Sequence, residues 1–328
     1  MNHIPALSSI LCPEHLATWA ETKYGLSTCA QTGILKTGIN HNYSIQTTNG
    51  NYVLRVYFKD WKTEEEIAEE LKLLHYLNEN NVGVSYPIKD LEQQYIQQIE
   101  APEGLRFAVL FSYAEGENIK NPSEKVCRLL GKSMAEMHRL TAHKSIGRKS
   151  YTSDTLVAWA YDTALSFFPE SNPEMHYFKR AKELIHERFT SADATKLRSG
   201  IVHLDLWYDN MAVQNEDRIT FFDFDNTGNG WLFLDIGYSL MLIFKNEPDK
   251  ELFKRKMAAF YEGYESITGI SEEEKELVPF GGLAIWLHYT GIHVQRFNDF
   301  TNHFLSNDFL KFWIHTVNEW MKYNRISI

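Results

Sequence analysis

The apolar pattern of the chain changes character once, near residues 111–117, and that change limits the architectures open to it. Before it, short runs dominate: TGILKTG at 32–38, NYSIQTT at 42–48, YVLRVY at 52–57, YIQQIE at 95–100 and LRFAVLFSY at 105–113. Runs of this length, rich in β-branched and aromatic residues, read as strands. Asn49-Gly50 lies between the second and third, and both residues tolerate positive φ, which predicts a hairpin turn there. A short helix is expected over residues 13–24. A longer one follows Thr63, where Thr63 and Glu66 form a capping box and Ile67, Leu71, Leu74 and Leu77 recur at helical spacing.

After Gly116 the pattern is helical, at 126–141, near 153–169 and 173–190, and from Leu234 onward, where Ser271 and Glu274 pair as a cap. The exception is the stretch 200–225, where short apolar strands flank polar loops. The order implies an α+β chain of two lobes. Residues 1–112 give an N-terminal antiparallel sheet plus one helix with a leading helix, and residues 113–328 a mostly helical second lobe.

Charge and cysteine content narrow the class. The 33 Lys+Arg against 43 Asp+Glu give a formal charge of −10, which disfavours nucleic acid as a partner. Cys12, Cys29 and Cys127 are widely spaced and form neither a metal-ligand pair nor a disulfide framework. The first residues have no basic region before their short apolar run and Glu14 follows close behind, so a signal peptide is not expected there, and the run from Trp231 to Phe244 is too short for a membrane span and contains Asp235. The expectation is a cytoplasmic protein without a membrane segment.

Polar residues concentrate in His203-Leu204-Asp205-Leu206-Trp207-Tyr208-Asp209-Asn210, followed by Phe221-Phe222-Asp223-Phe224-Asp225. The intervening residues read as a hairpin turning at Asn215–Asp217, which would make Asn210 and Asp223 neighbours. An amide oxygen and a carboxylate together suit Mg²⁺, an ion that shares its shell with water and phosphate. Asp205 beside them could accept a proton from an incoming hydroxyl. Asp and Asn in loops also commonly cap turns, which is the plainer reading.

HLDLWYDN with FFDFD resembles the catalytic and metal motifs of the aminoglycoside phosphotransferase/choline kinase family, H-x-D-x-x-x-x-N and then I-D-F-[DE]. The resemblance covers about residues 32–245 and implies a bilobal protein-kinase-like fold, with ATP and Mg²⁺ as cofactors. It implies Asp205 as the catalytic base, Asn210 and Asp223 as metal ligands, and His203 and Asp235 as supports of the loop. Arg55 occupies the strand position that usually carries a phosphate-gripping Lys, with Glu70 as its partner. If Arg55 stands in for that Lys, Arg55→Lys is expected to be tolerated or even to improve turnover, because the smaller ammonium can reach the phosphates as a point charge. Phe111 and Tyr113 belong to a hinge whose backbone would hold adenine. The loop at 36–42 has one glycine and so departs from the glycine-rich pattern, and Leu204 stands where the family commonly has Gly.

The look is closest to the homoserine-kinase-type branch, which implies transfer of the γ-phosphate of ATP to an alcohol of a small, cationic or zwitterionic acceptor: homoserine-like, amino sugar or choline-like. A Ser/Thr protein kinase of the same wider family and a nucleotide-binding pseudokinase are alternatives. FFDFDNTG also resembles the first motif of haloacid-dehalogenase-type phosphatases, with Asp223 as nucleophile and Asp225 as acid/base, but that reading leaves HLDLWYDN without a role. Asp225 could bind a second metal or cap a turn. Trp286, Tyr289 and His293 share a helical face that could line the acceptor pocket, and His288, His303 and His315 lie in the same helical region.

Overall fold

A computed structural model describes residues 4, 6–296 and 304–328, so His303 lies outside the described residues. The chain forms two compact units, Met1–Glu115 and Gly116–Ile328.

The first unit runs α1 (Pro13–Tyr24), β1 (Cys29–Thr37), β2 (His41–Thr47), β3 (Gly50–Val56), α2 (Glu64–Glu79), β4 (Pro87–Ile88), β5 (Gln97–Ala101) and β6 (Gly104–Ser112). The strands form one antiparallel sheet in the order β1-β2-β3-β6-β4, with β5 also on β6. Leu16, Ala20 and Tyr24 of α1 pack on Tyr43, Ile45, Leu54, Val56, Ala108 and Leu110. Burying a side chain such as Leu54 or Ile45 contributes about 1.5–3 kcal/mol. Because side chains alternate along a strand, Arg55 between Leu54 and Val56 must point to the opposite face. There it meets α2, whose Thr63–Glu66 capping box is formed in both directions.

The hairpin between β2 and β3 departs from the sequence expectation. Thr47 pairs with Gly50, so the turn residues are Thr48 and Asn49, neither at positive φ, and Gly50 begins β3. The Asn-Gly signal marked the right place but the wrong register. The two-residue β4 carries too few residues to show a period at all.

The second unit runs α3 (Glu124–Thr141), a π-helical turn (Asp154–Ala158) leading into α4 (Trp159–Leu165), α5 (Pro173–Ser191), β7 (Ser199–Val202), β8 (Met211–Gln214), β9 (Arg218–Phe221), β10 (Gly228–Trp231), α6 (Phe233–Asn246), α7 (Lys250–Glu265), α8 (Glu272–Gln295) and α9 (Asn307–Tyr323). Every residue from Phe233 to Phe244 is buried, so α6 is enclosed on all sides. It lies so close to α8 that a Cβ at Gly237 would overlap the carbonyl of Val278 and the backbone N of Gly282. β7 pairs with β10 and β8 with β9, giving two small antiparallel ribbons beside α6. No helix among the described residues is long and apolar enough to cross a membrane.

Candidate active site

The loop from His203 to Asn210 leaves β7 and is held in shape mainly by α6. Asp235, in the first turn of α6, accepts the backbone N–H of His203 at 2.8 Å and of Leu204 at 2.6 Å. Ser239, one turn on, donates to the carbonyl of Leu206 at 2.5 Å. His203 Nδ1 accepts the N–H of Asp205 at 3.2 Å, so its proton sits on Nε2, which donates to the carbonyl of Phe222 at 3.1 Å. The ring lies 4.3 Å from that of Phe224. Burial lowers the pKa of His203. That agrees with a neutral imidazole, which ties the loop to the end of β9.

Asn210 joins the loop to the hairpin. Its Nδ2 donates to the carbonyl of Asp205 at 3.0 Å and to Asp205 Oδ2 at 2.7 Å, and its backbone carbonyl accepts the N–H of Phe222 at 3.0 Å. The two mouths of the β8–β9 hairpin therefore meet. With both amide N–H groups committed, Oδ1 is the atom with which Asn210 can meet a cation.

Asp223 follows β9 at φ 65° and ψ 56°, and its carboxylate does not cap the 3-10 turn Phe224–Asn226 that it begins. A non-glycine residue in this region stores roughly 1–2 kcal/mol of strain. The turn is clamped from outside: Arg148 donates to the carbonyls of Phe224, at 3.1 Å, and Asp225, Tyr151 Oη donates to that of Asn226 at 2.6 Å, and Thr227 Oγ1 to that of Val202 at 3.0 Å. Asp205 and Asp223 are half-buried, while Asp225 is buried.

One amide oxygen and one carboxylate are donors of the kind Mg²⁺ takes. No group of three or more His, Cys, Asp or Glu among the described residues could hold a metal. The donor set fits an ion that completes its shell with water and phosphate, and does not fit a closed zinc site.

Around this loop Tyr238 and His138 carry no mark in the sequence, whereas Tyr289 belongs to the helical face expected to line an acceptor pocket. Tyr238 of α6 and Tyr289 of α8 both hydrogen-bond Asp205, and burial first, then the Asp205 charge, raises both phenols well above their ordinary pKa. Their rings stack 5.8 Å apart, and Asn226 Nδ2 donates to Tyr289 Oη at 3.0 Å. His138 of α3 meets Asp235 Oδ2 at 3.1 Å and Tyr264 Oη at 2.8 Å. The His293 ring lies 6.5 Å from Tyr289, and burial lowers its pKa to about 4. Trp286 packs on Trp313 instead, His288 lies against Tyr151 and Trp159, and His315 is exposed.

In the first unit, Arg55 NH1 lies 3.4 Å from Glu70 Oε1 and its Nε donates to Asn42 Oδ1 at 3.2 Å. Phe111 is buried in β6, whereas Tyr113 is exposed and gives its backbone N–H to the carbonyl of Asn51 at 3.3 Å. The loop before β2 is pinned by Phe58 N–H to Asn40 Oδ1 at 3.1 Å. Gly116, at φ 124°, begins the second unit: a Cβ there would fall 2.5 Å from the carbonyl oxygen of Val213.

The model of the family described as phosphotransferase enzyme family matches residues 31–270. Homoserine kinase of Bradyrhizobium diazoefficiens is 26% identical over 249 residues, which is 75% of this chain and 73% of that protein. An amicoumacin kinase solved with AMP-PNP and Ca²⁺ superposes with a TM-score of 0.75 at 17% identity, over 94% of this chain and 93% of that one. A microcompartment-associated aminopropanol kinase gives a TM-score of 0.73 at 20% identity, over 94% and 95%. At those identities the solved structures speak for the fold, which is protein-kinase-like. That fold excludes the dehalogenase-type phosphatase reading: Asp223 follows a two-stranded antiparallel hairpin, not a strand of a parallel sheet. The family match spans most of the chain, both motifs included, and the chain belongs to the phosphotransferase enzyme family.

Proposed function

We propose that the protein transfers the γ-phosphate of ATP, with Mg²⁺, to a hydroxyl of a small amino-alcohol-like molecule. The observation that carries this reading is the join between Asp205 and Asn210: one amide orients the carboxylate through its N–H groups and leaves its oxygen for a cation. Asp205 orients the acceptor hydroxyl and takes its proton as the new O–P bond forms. Asn210 and Asp223 would hold Mg²⁺, which would supply neutralisation of the phosphate charge. Arg55, steadied by Glu70, meets the α/β-phosphates, and the segment from Phe111 to Tyr113 meets adenine. His203 and Asp235 keep the loop in register. Tyr238 and Tyr289 also meet the Asp205 carboxylate.

Homoserine and aminopropanol, the acceptors in the relatives' names, both carry an amine and a hydroxyl, and this supports an acceptor of that class. The test is ADP release with Mg²⁺ and ATP over a panel containing homoserine, aminopropanol, choline, amino sugars and a Ser/Thr-containing protein. Turnover with a small amino alcohol supports the proposal. Phosphate on the protein alone would favour a protein kinase, and ATP binding without turnover on any acceptor a pseudokinase.

A further inference from the structure

The guanidinium of Arg55 is fixed on more sides than its ion pair with Glu70 requires. In the β2–β3 pairing, Asn42 lies directly opposite Arg55, so both side chains share the sheet face that meets α2. Asn42 Oδ1 accepts from Nε at 3.2 Å while Glu70 Oε1 meets NH1 at 3.4 Å. The rings of Tyr57 and Phe111 lie 5.9 and 5.4 Å from the same guanidinium carbon. A planar fork can serve two acceptors in different directions and lie against rings at once, whereas an ammonium is a point charge on a flexible stem.

Asn42 also stands at a particular place in the chain. It is the second residue of β2, just after the loop that replaces a glycine-rich phosphate loop. That loop is closed by Gly38 N–H to the carbonyl of Asn40 at 3.2 Å, and anchored through Asn40 Oδ1 to the N–H of Phe58. Asn40 and Asn42 thus tie the loop to the segment Arg55–Phe58 by side-chain amides.

We propose that Asn42 is a positioning residue for the nucleotide phosphates: its amide oxygen sets the direction of the Arg55 guanidinium and couples it to the 38–42 loop. The proposal rests on the phosphate-gripping role given to Arg55 above. It reverses the expectation that Arg55→Lys is tolerated, because one ammonium would replace the separate Nε and NH1 donors that meet Asn42 and Glu70 and would lose the planar face turned to Tyr57 and Phe111.

The experiment is calorimetric binding of Mg-ATP, ADP and adenosine to the full chain and its variants. Asn42→Ala should weaken Mg-ATP and ADP by about tenfold, the scale of one misdirected hydrogen bond to a charged group, and leave adenosine within about twofold. Asn42→Asp, which keeps the acceptor, should retain ATP binding. In an Arg55→Ala or Arg55→Lys background, Asn42→Ala should have no further effect. If Asn42→Ala does not fold, Asn42→Ser, too short to reach Nε, carries the same expectation. Equal weakening of adenosine and ATP, or unchanged ATP binding while Arg55→Ala still weakens ATP selectively, overturns the positioning role. If Arg55→Ala itself leaves the ATP-to-adenosine ratio unchanged, the phosphate-gripping reading has failed and Asn42 falls with it.

Discussion

Leu204 sits at φ 66° with its side chain fully buried, in a backbone region that favours glycine. Two effects oppose each other there. Glycine would relieve roughly 1–2 kcal/mol of left-handed strain, while losing a buried leucine costs about 2–5 kcal/mol. Burial wins, so Leu204→Gly should destabilise the protein by about 2 kcal/mol in urea unfolding, and a more stable variant would show that the side chain does little. The two carboxylates of the turn separate in the same way. Asp223 begins the turn without capping it, while Asp225 is buried with its carbonyl held by Arg148. Asp223→Ala should abolish the Mg²⁺ dependence of nucleotide binding and Asp225→Ala should not; a larger loss from Asp225→Ala in a magnesium titration would contradict the ligand assignment.

Helices α3 and α6 carry the support of the loop, and their roles differ in how far the sequence revealed them. Asp235 was visible because it recurs in a known order after the motif. His138 was not, because its partners Asp235 and Tyr264 lie far along the chain and no local pattern connects them. His138→Phe keeps a ring but leaves Tyr264 Oη without this partner and removes one bond from Asp235. It should cost about 1–3 kcal/mol in stability and lower the turnover rate, because the same carboxylate carries the N–H groups of His203 and Leu204. Unchanged kinetics in a folded His138→Phe protein would limit the residue to packing. Local signals fared best: both capping boxes form, since cap and partner are three residues apart. The β7–β10 pairing leaves no signal in the sequence, because four-residue strands separated by the whole loop and hairpin show no period. Tyr238 carries no signal of its own and Tyr289 only that of a helical face that could line an acceptor pocket; the packing of α6 on α8 is what brings both to Asp205.

For the whole molecule, two histidines, His203 and His293, set an acid limit. His203 and His293 are both depressed by burial, His293 from 6.5 to about 4. The unfolded chain therefore binds protons that the folded chain does not, so stability is full above pH 6.5 and is lost as pH falls from there toward about 4. Carboxylates held low in the fold, such as Glu247 beside Lys256, lose their contribution only as pH falls below their ordinary range, near 4.5. Melting temperature against pH should thus begin to fall below about pH 6.5, and His293→Gln should flatten the upper part of that fall. An unchanged slope between pH 7 and 5 in that variant would mean His293 is accessible to water in the fold.

The central claim is phosphoryl transfer from ATP to a small hydroxyl acceptor through Asp205. The most direct measurement is ³¹P NMR of a mixture of protein, Mg-ATP and the best acceptor of the panel, with the parent chain and Asp205→Asn side by side. The parent should convert the γ-phosphate signal into a phosphate monoester of the acceptor with matching ADP. Asp205→Asn should bind Mg-ATP normally and form the ester roughly 10²–10⁴ times more slowly. Ester formation by Asp205→Asn at the parental rate, or inorganic phosphate as the only product of the parent, would contradict the account.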